Sequence, residues 1–126
     1  MSANSQPSEA SLVSIVDDDS SVRRSTLRLL SSSGLRAEAF ASAADFLQSE
    51  RVAETGCLLL DVKMPGMDGL ELQRHLSARG LAVPIVFFTA HASEEDERQA
   101  LAAGASSFLR KPVTKEVLLN AILAVL

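Results

Sequence analysis

The run Cys57-Leu58-Leu59-Leu60 breaks off into a carboxylate, Asp61, and Val62-Lys63-Met64-Pro65-Gly66 follows as a turn. An unbroken apolar run of strand length, closed by turn residues, has no polar face to offer water. It suits a strand covered on both sides, as in the middle of a parallel sheet. Its acid then emerges at the carboxyl edge of that sheet, where open α/β folds gather their ligands.

The rest of the chain supplies the layers that such a strand needs. Leu12-Val13-Ser14-Ile15-Val16 is a short apolar strand running into Asp17, Asp18 and Asp19. The helix after it carries Val22, Thr26, Leu29 and Leu30 on one face, with Arg23, Arg24 and Arg28 largely outside it, and Gly34 ends it. Leu35 to Phe40 reads as a second strand, and its Arg36 and Glu38 predict an edge position. Ser42 and Asp45 open a helix expected to reach about Ala53. Beyond Asp61, Asp68 and Glu71 form a capping box for a third helix, which Gly80 closes.

Pro84 to Thr89 is the fourth strand. Ser93 caps the next helix, whose first turn holds Glu94, Glu95, Asp96 and Glu97, where negative charge complements the helix dipole. Gly104 ends that helix, Ser106 to Arg110 is a fifth strand, Lys111-Pro112 a turn, and Thr114 caps a last helix. Strand and helix alternate five times, so right-handed crossovers dictate an α/β fold with a parallel sheet and helices on both faces. Residues 12–126 are long enough for one core, and polar residues 1–11 are expected to be a disordered tail.

Composition narrows the partners. A net charge of −4 gives no general affinity for nucleic acid or anionic lipid, and no apolar run is long enough to span a bilayer. No secretory signal is visible, and the lone Cys57, which opens a buried strand, fits a core residue in a reducing cytosol. With no Trp and no Tyr, platforms for stacking bases or sugars are scarce.

The predicted topology gathers Asp17, Asp18, Asp61, Thr89 and Lys111 at one sheet edge, although they lie far apart in sequence. Carboxylates crowded there repel, so one stays protonated or a divalent cation binds. Oxygen ligands without a His/Cys set favour a hard ion, and Mg²⁺ suits few carboxylates and several waters. One acid is explained as a helix cap, and Asp19 is the natural candidate. A carboxylate beside Mg²⁺ can attack an in-line phosphoryl group and become an aspartyl phosphate. The Thr89 hydroxyl, the Ala90 backbone N–H and the Lys111 ammonium could receive its oxygens.

Ile15-Val16-Asp17-Asp18, Leu60-Asp61-Val62-Lys63-Met64-Pro65-Gly66-Met67-Asp68-Gly69, Thr89-Ala90 and Phe108-Leu109-Arg110-Lys111-Pro112 together resemble the receiver domain of bacterial response regulators. The resemblance covers about Leu12 to Leu126 and implies a flavodoxin-like three-layer sandwich, with strand order 2-1-3-4-5 and five helices. It implies Asp61 as phosphoacceptor and a Mg²⁺ site (Mn²⁺ the alternative) made by Asp18, Asp61 and the Lys63 carbonyl, with Asp17 acting through water. Thr89, Lys111 and the backbone of Val62 and Ala90 would bind the phosphoryl group, Thr89 and Phe108 would form the switch, and Pro112 would follow a cis peptide bond. Phe108 lacks the hydroxyl that a Tyr there would offer to partners.

The same resemblance implies a cytoplasmic signalling protein rather than an enzyme acting on an outside substrate. It would take phosphate from a sensor histidine kinase or phosphotransfer protein, later hydrolyse it, and dimerise or bind an output partner through its fourth-helix face. The Thr89-Ala90-His91 loop and Val22-Arg23 are similar to the subgroup whose receivers precede a helix-turn-helix DNA-binding domain. The chain stops right after its fifth predicted helix, so either a stand-alone receiver or a piece of a longer regulator is expected. Lys63 and His91 flank the site and are expected to tune phosphate lifetime, whereas His75 reads as a surface residue.

Three alternatives compete. A haloacid-dehalogenase-like phosphohydrolase needs a second acid where Lys63 stands. A flavodoxin-type binding module needs a phosphate loop where the acids stand. A receiver could also act as a phosphorylation-independent protein-interaction domain, for which the full acidic set would have no use.

Overall fold

The computed structural model describes residues 11–126, so the tail expected over residues 1–11 lies, apart from Ser11, outside the described residues. In chain order the elements are β1 (Leu12–Val16), α1 (Ser20–Ser32), β2 (Ala37–Phe40), α2 (Ala43–Gln48), β3 (Thr55–Leu60), α3 (Gly69–Ala78), β4 (Ile85–Thr89), α4 (Glu94–Ala102), β5 (Ser107–Arg110) and α5 (Lys115–Leu123). All strand pairs are parallel, in the expected order β2-β1-β3-β4-β5. β3 is the middle strand, as its lack of a polar face demands. From Cys57 to Leu60 its residues are at most 1% exposed.

Alternation along the strands sorts the core into two layers. Val16, Leu58, Leu60 and Phe87 point to one side, where Phe46 of α2, Leu72 and Leu76 of α3 and Ala100 of α4 cover them. Val13, Ile15, Cys57, Leu59 and Val86 point to the other, beneath Leu30 of α1 and Leu118 and Ile122 of α5. Two buried polar contacts tie elements together: Ser14 Oγ lies 2.7 Å from Thr55 Oγ1, and Gln73 of α3 donates to the Ala100 carbonyl of α4 at 3.0 Å. Burial pushes the Cys57 thiol up to about 12, in keeping with a core role.

The expected caps form. Asp19 accepts from the Ser21 and Val22 N–H groups, Ser42 from Asp45, Asp68 from Glu71, Ser93 from Asp96 and Thr114 from Val117. Several boundaries differ: β3 begins at Thr55, ahead of Cys57, and β5 at Ser107 rather than Ser106. The helix expected to reach Ala53 stops at Gln48, and a single 3₁₀ turn at Val52–Glu54 leads into β3. The break falls at Glu50, which takes a left-handed φ of 65° that a helix cannot continue. β2 begins at Ala37 rather than Leu35, because the Leu35 N–H is spent on the Leu30 carbonyl closing α1. β4 begins at Ile85, Pro84 having no N–H to give the ladder.

α3 starts hard against the loop after β3. The Gly69 N–H donates to the Val62 carbonyl at 2.8 Å, and a Cβ on Gly69 would overlap the Asp61 carbonyl oxygen. Alanine in a helix normally stabilises relative to glycine; here the sign reverses. Gly69→Ala is expected to lower unfolding free energy by about 1–3 kcal/mol, the usual cost of overpacking, as measured by urea denaturation. A stabilised variant would contradict the close approach.

Candidate functional site

Strand register builds the site. Val16 pairs with Leu60, and the Asp61 N–H donates to the Val16 carbonyl at 3.0 Å, so the residues after β1 and β3 emerge level with each other. On the other flank Thr89 ends β4 opposite Arg110, and the Lys111 N–H donates to the Thr89 carbonyl at 2.8 Å. The result is a cleft of about 250 Å³ lined by Asp17, Asp18, Asp19, Asp61, Lys63, Ala90, His91 and Lys111. Asp17, Asp18 and Asp61 each offer a carboxylate oxygen, all within 4.8 Å of one another.

The acids are not equivalent. Asp17 is 3% exposed and engaged at both oxygens: one accepts from the Asp19 N–H and the other from Lys111 Nζ, each at 2.9 Å, while its carbonyl accepts from Arg23 Nη1 at 2.8 Å. Asp19 is committed to capping α1, and the Ser21 hydroxyl and N–H, then the Val22 N–H, hold its carboxyl below the usual range. Asp18 is exposed and, among the described residues, makes no side-chain hydrogen bond. Asp61 is 9% exposed. Burial first, and then the charge of Asp17, push its carboxyl upward, against the opposing influence of the Thr89 hydroxyl, Lys111 and the Val62 N–H.

Thr89 is fully buried, and its hydroxyl is the buried side-chain polar atom left without a hydrogen-bond partner among the described residues. It stands near enough to favour charge on Asp61, yet does not meet hydrogen-bond geometry with it. An orphaned donor and three converging carboxylates fit a site that takes a hard cation and an anion together. His91 is exposed and lines the cleft. Lys111 rests 4.9 Å from the centroid of the Phe88 ring, and the Lys111-Pro112 bond is cis as expected.

Phe108 is half-buried, its ring centroid 5.5 Å from that of Phe87 and 5.3 Å from the Arg110 guanidinium. His75, expected on the surface, is half-buried, its Nε2 3.5 Å from Arg79 Nη1.

Four contributors escape the sequence reading. Arg23, placed by the sequence outside the apolar face of its helix, turns back to hold the acid loop. Gly69 makes room for the Asp61 carbonyl. Arg110 reaches from β5 to the Ala92 and Ser93 carbonyls and to Glu97. Asp96 accepts from the Ser93 N–H, which holds its carboxyl low, and stands 3.4 Å from Lys63 Nζ. Only Asp96 carried a visible signal, as the third residue of its helix after a Ser cap; the others depend on pairings across the fold.

A model of the response regulator receiver domain matches residues 13–123. The transcriptional regulatory protein TdiR of Thauera aromatica is 44% identical over 117 residues, covering 93% of this chain and 52% of TdiR. The transcriptional regulatory protein FixJ of Azorhizobium caulinodans is 39% identical over 112 residues, covering 89% of this chain and 53% of FixJ. The solved structure of the chemotaxis protein CheY4 of Vibrio cholerae is similar with a TM-score of 0.82 at 30% identity, covering 92% of this chain and 98% of CheY4. The chain spans about half the length of the curated relatives it matches.

A carboxyl raised by folding keeps a proton that the unfolded chain has already released. Its contribution to stability is present below the ordinary carboxylate pKa and is lost as pH rises through the higher folded value. Asp61→Asn removes that loss. Without divalent cations at neutral pH the variant is expected to be more stable by about 1–3 kcal/mol, the scale of an uncompensated buried polar group, and Mg²⁺ should narrow the gap. Denaturant melts across the acid-to-neutral range check this, and parallel pH profiles for the two proteins would refute it.

Proposed function

The chain belongs to the response regulator receiver domain family, whose function is phosphoryl transfer to an aspartate, and we propose that Asp61 is its acceptor. The observation that carries the assignment is one cleft lined by the buried Asp61 carboxylate, three further acids and two lysines, with the unpartnered Thr89 hydroxyl close to Asp61. On this reading a free Asp61 oxygen attacks the phosphorus of a phosphohistidine. The new P–O bond forms as the P–N bond breaks, and the imidazole leaves with a proton from solvent. Hydrolysis of the acyl phosphate later restores Asp61.

The Asp18 and Asp61 carboxylates and the Lys63 carbonyl would hold Mg²⁺, or Mn²⁺ in its stead, with Asp17 acting through a water. When bound, the ion supplies neutralising charge for the acids and the incoming phosphoryl group. Asp17 suits the indirect role because its two oxygens are already occupied, and Asp18 suits the direct one because its own are free. Lys111 lines the same cleft and would share its ammonium with a phosphoryl oxygen, while the Val62 and Ala90 N–H groups would bind the others.

A phosphoryl group adds about −1.5 to −2 charge and gives the Thr89 hydroxyl the partner it lacks. Thr89 would move toward it, and Phe108, packed on Phe87, would turn into the space left behind. That repacks the face of α4 and β5, biasing an equilibrium already present. Receiver domains are not classical enzymes; the output here would be altered affinity for an output domain or partner protein, with dimerisation through that face as one form.

The phosphodonor would be a sensor histidine kinase or phosphotransfer protein, and the setting cytoplasmic. Among the described residues no helix is long and apolar enough to cross a membrane. Residues 12–126 form the receiver, and this domain itself would not touch nucleic acid. The matched relatives are transcriptional regulatory proteins about twice as long, which supports a role in transcription control.

Incubation with a small phosphodonor and Mg²⁺, read by intact mass, is expected to add one phosphoryl group to the wild type and none to Asp61→Asn. Chelation of the metal should abolish the gain. Equal labelling of the two proteins would remove Asp61 from the role.

A further inference from the structure

Lys63 has two neighbours at once. It lines the acidic cleft beside Asp61, and its ammonium stands 3.4 Å from Asp96 in the first turn of α4. Among the described residues this is the one ion pair between the loop after β3 and α4. Asp96 is mostly buried, 14% exposed, whereas Lys63 is 58% exposed and swings on a flexible stem. From the opposite side Arg110 holds the same turn through the Ala92 and Ser93 carbonyls and Glu97. α4 is therefore tied at its start to the acceptor loop by one charge pair and to β5 by another cation.

We infer that Asp96 is a positioning residue that holds the Lys63 ammonium off the acceptor, so that a phosphoryl group on Asp61 and the start of α4 compete for one cation. This rests on the proposed role of Asp61. A new anion in the cleft draws Lys63 away from Asp96. α4 then loses its tie to the acceptor loop, keeps those through Arg110 and through Gln73 of α3, and can shift at its first turn. Linkage makes the competition reciprocal: whatever breaks the Lys63–Asp96 pair must strengthen anion binding at Asp61.

The test is the affinity of the whole chain for beryllofluoride in saturating Mg²⁺, followed by fluorine NMR or calorimetry. Asp96→Asn keeps an oxygen to cap the Ser93 N–H but drops the charge. It is expected to tighten binding about two- to fivefold, the range an exposed ion pair can supply. Asp96→Glu, which keeps the charge, should return to the wild-type value. In a Lys63→Met background Asp96→Asn should change nothing, since the cation it releases is absent.

Unchanged affinity in Asp96→Asn would overturn the inference. So would an equal gain in the Lys63→Met background, which would trace the effect to the helix cap, or an equal gain in Glu94→Gln, which would trace it to net charge. If the wild type bound no beryllofluoride, the acceptor reading would fall and take this inference with it. Binding that is intact but indifferent to Asp96 removes the inference alone.

Discussion

Parallel pairing of β1 with β3 sets two acid-bearing strand ends level, and the remainder of the site is arranged around that repulsion. Carboxylates within 4.8 Å repel by roughly 3–4 kcal/mol at the effective dielectric of a protein surface. No side chain chose this proximity; strand pairing, ending in the bond that the Asp61 N–H donates to the Val16 carbonyl, imposes it. The neighbours then divide the charge. Lys111 and the Asp19 N–H quiet Asp17, solvent bathes Asp18, and Asp61 is left the least comfortable of the three. A fold that tolerates such an arrangement holds in reserve a preference for positive charge, which a cation can satisfy.

The scaffold bears the cost because it is stiff where the acids sit. β3 is apolar on both faces, and both hydrophobic layers grip it, so the loop that follows cannot retreat from β1. Gly69 narrows the choice further by letting α3 begin directly over the Asp61 carbonyl. The opposite flank is less tightly bound, since Thr89 lacks a partner there and β5 is an edge strand with half-buried residues. Acids fixed on one side and a less satisfied flank on the other is an arrangement suited to reporting an event at the cleft.

Most of the architecture was legible because its signals are local. The apolar run Cys57–Leu60, the Ser, Thr and Asp caps and the strand–helix alternation each act over a few residues, and the crossover rule turns them into a topology. The convergence of Asp17, Asp18, Asp61 and Lys111 on one cleft, with Thr89 beside Asp61, followed from strand ends alone. Boundaries were less legible, since they turn on where a single N–H finds its acceptor, as at Leu35, or on a left-handed residue such as Glu50. Arg23 and Arg110 were hidden for another reason. Long cationic side chains on a polar helix face or an edge strand look alike in sequence whether they meet water or a backbone carbonyl, and only tertiary placement separates the cases.

Burying Cys57 at the centre of the sheet has a practical corollary. Its sulfur is sealed between layers and holds its proton tightly, so electrophiles find no thiolate while the fold is closed. Alkylation requires an opening that uncovers the middle of the molecule, so the modification rate of this one atom reports on such openings without any engineered label.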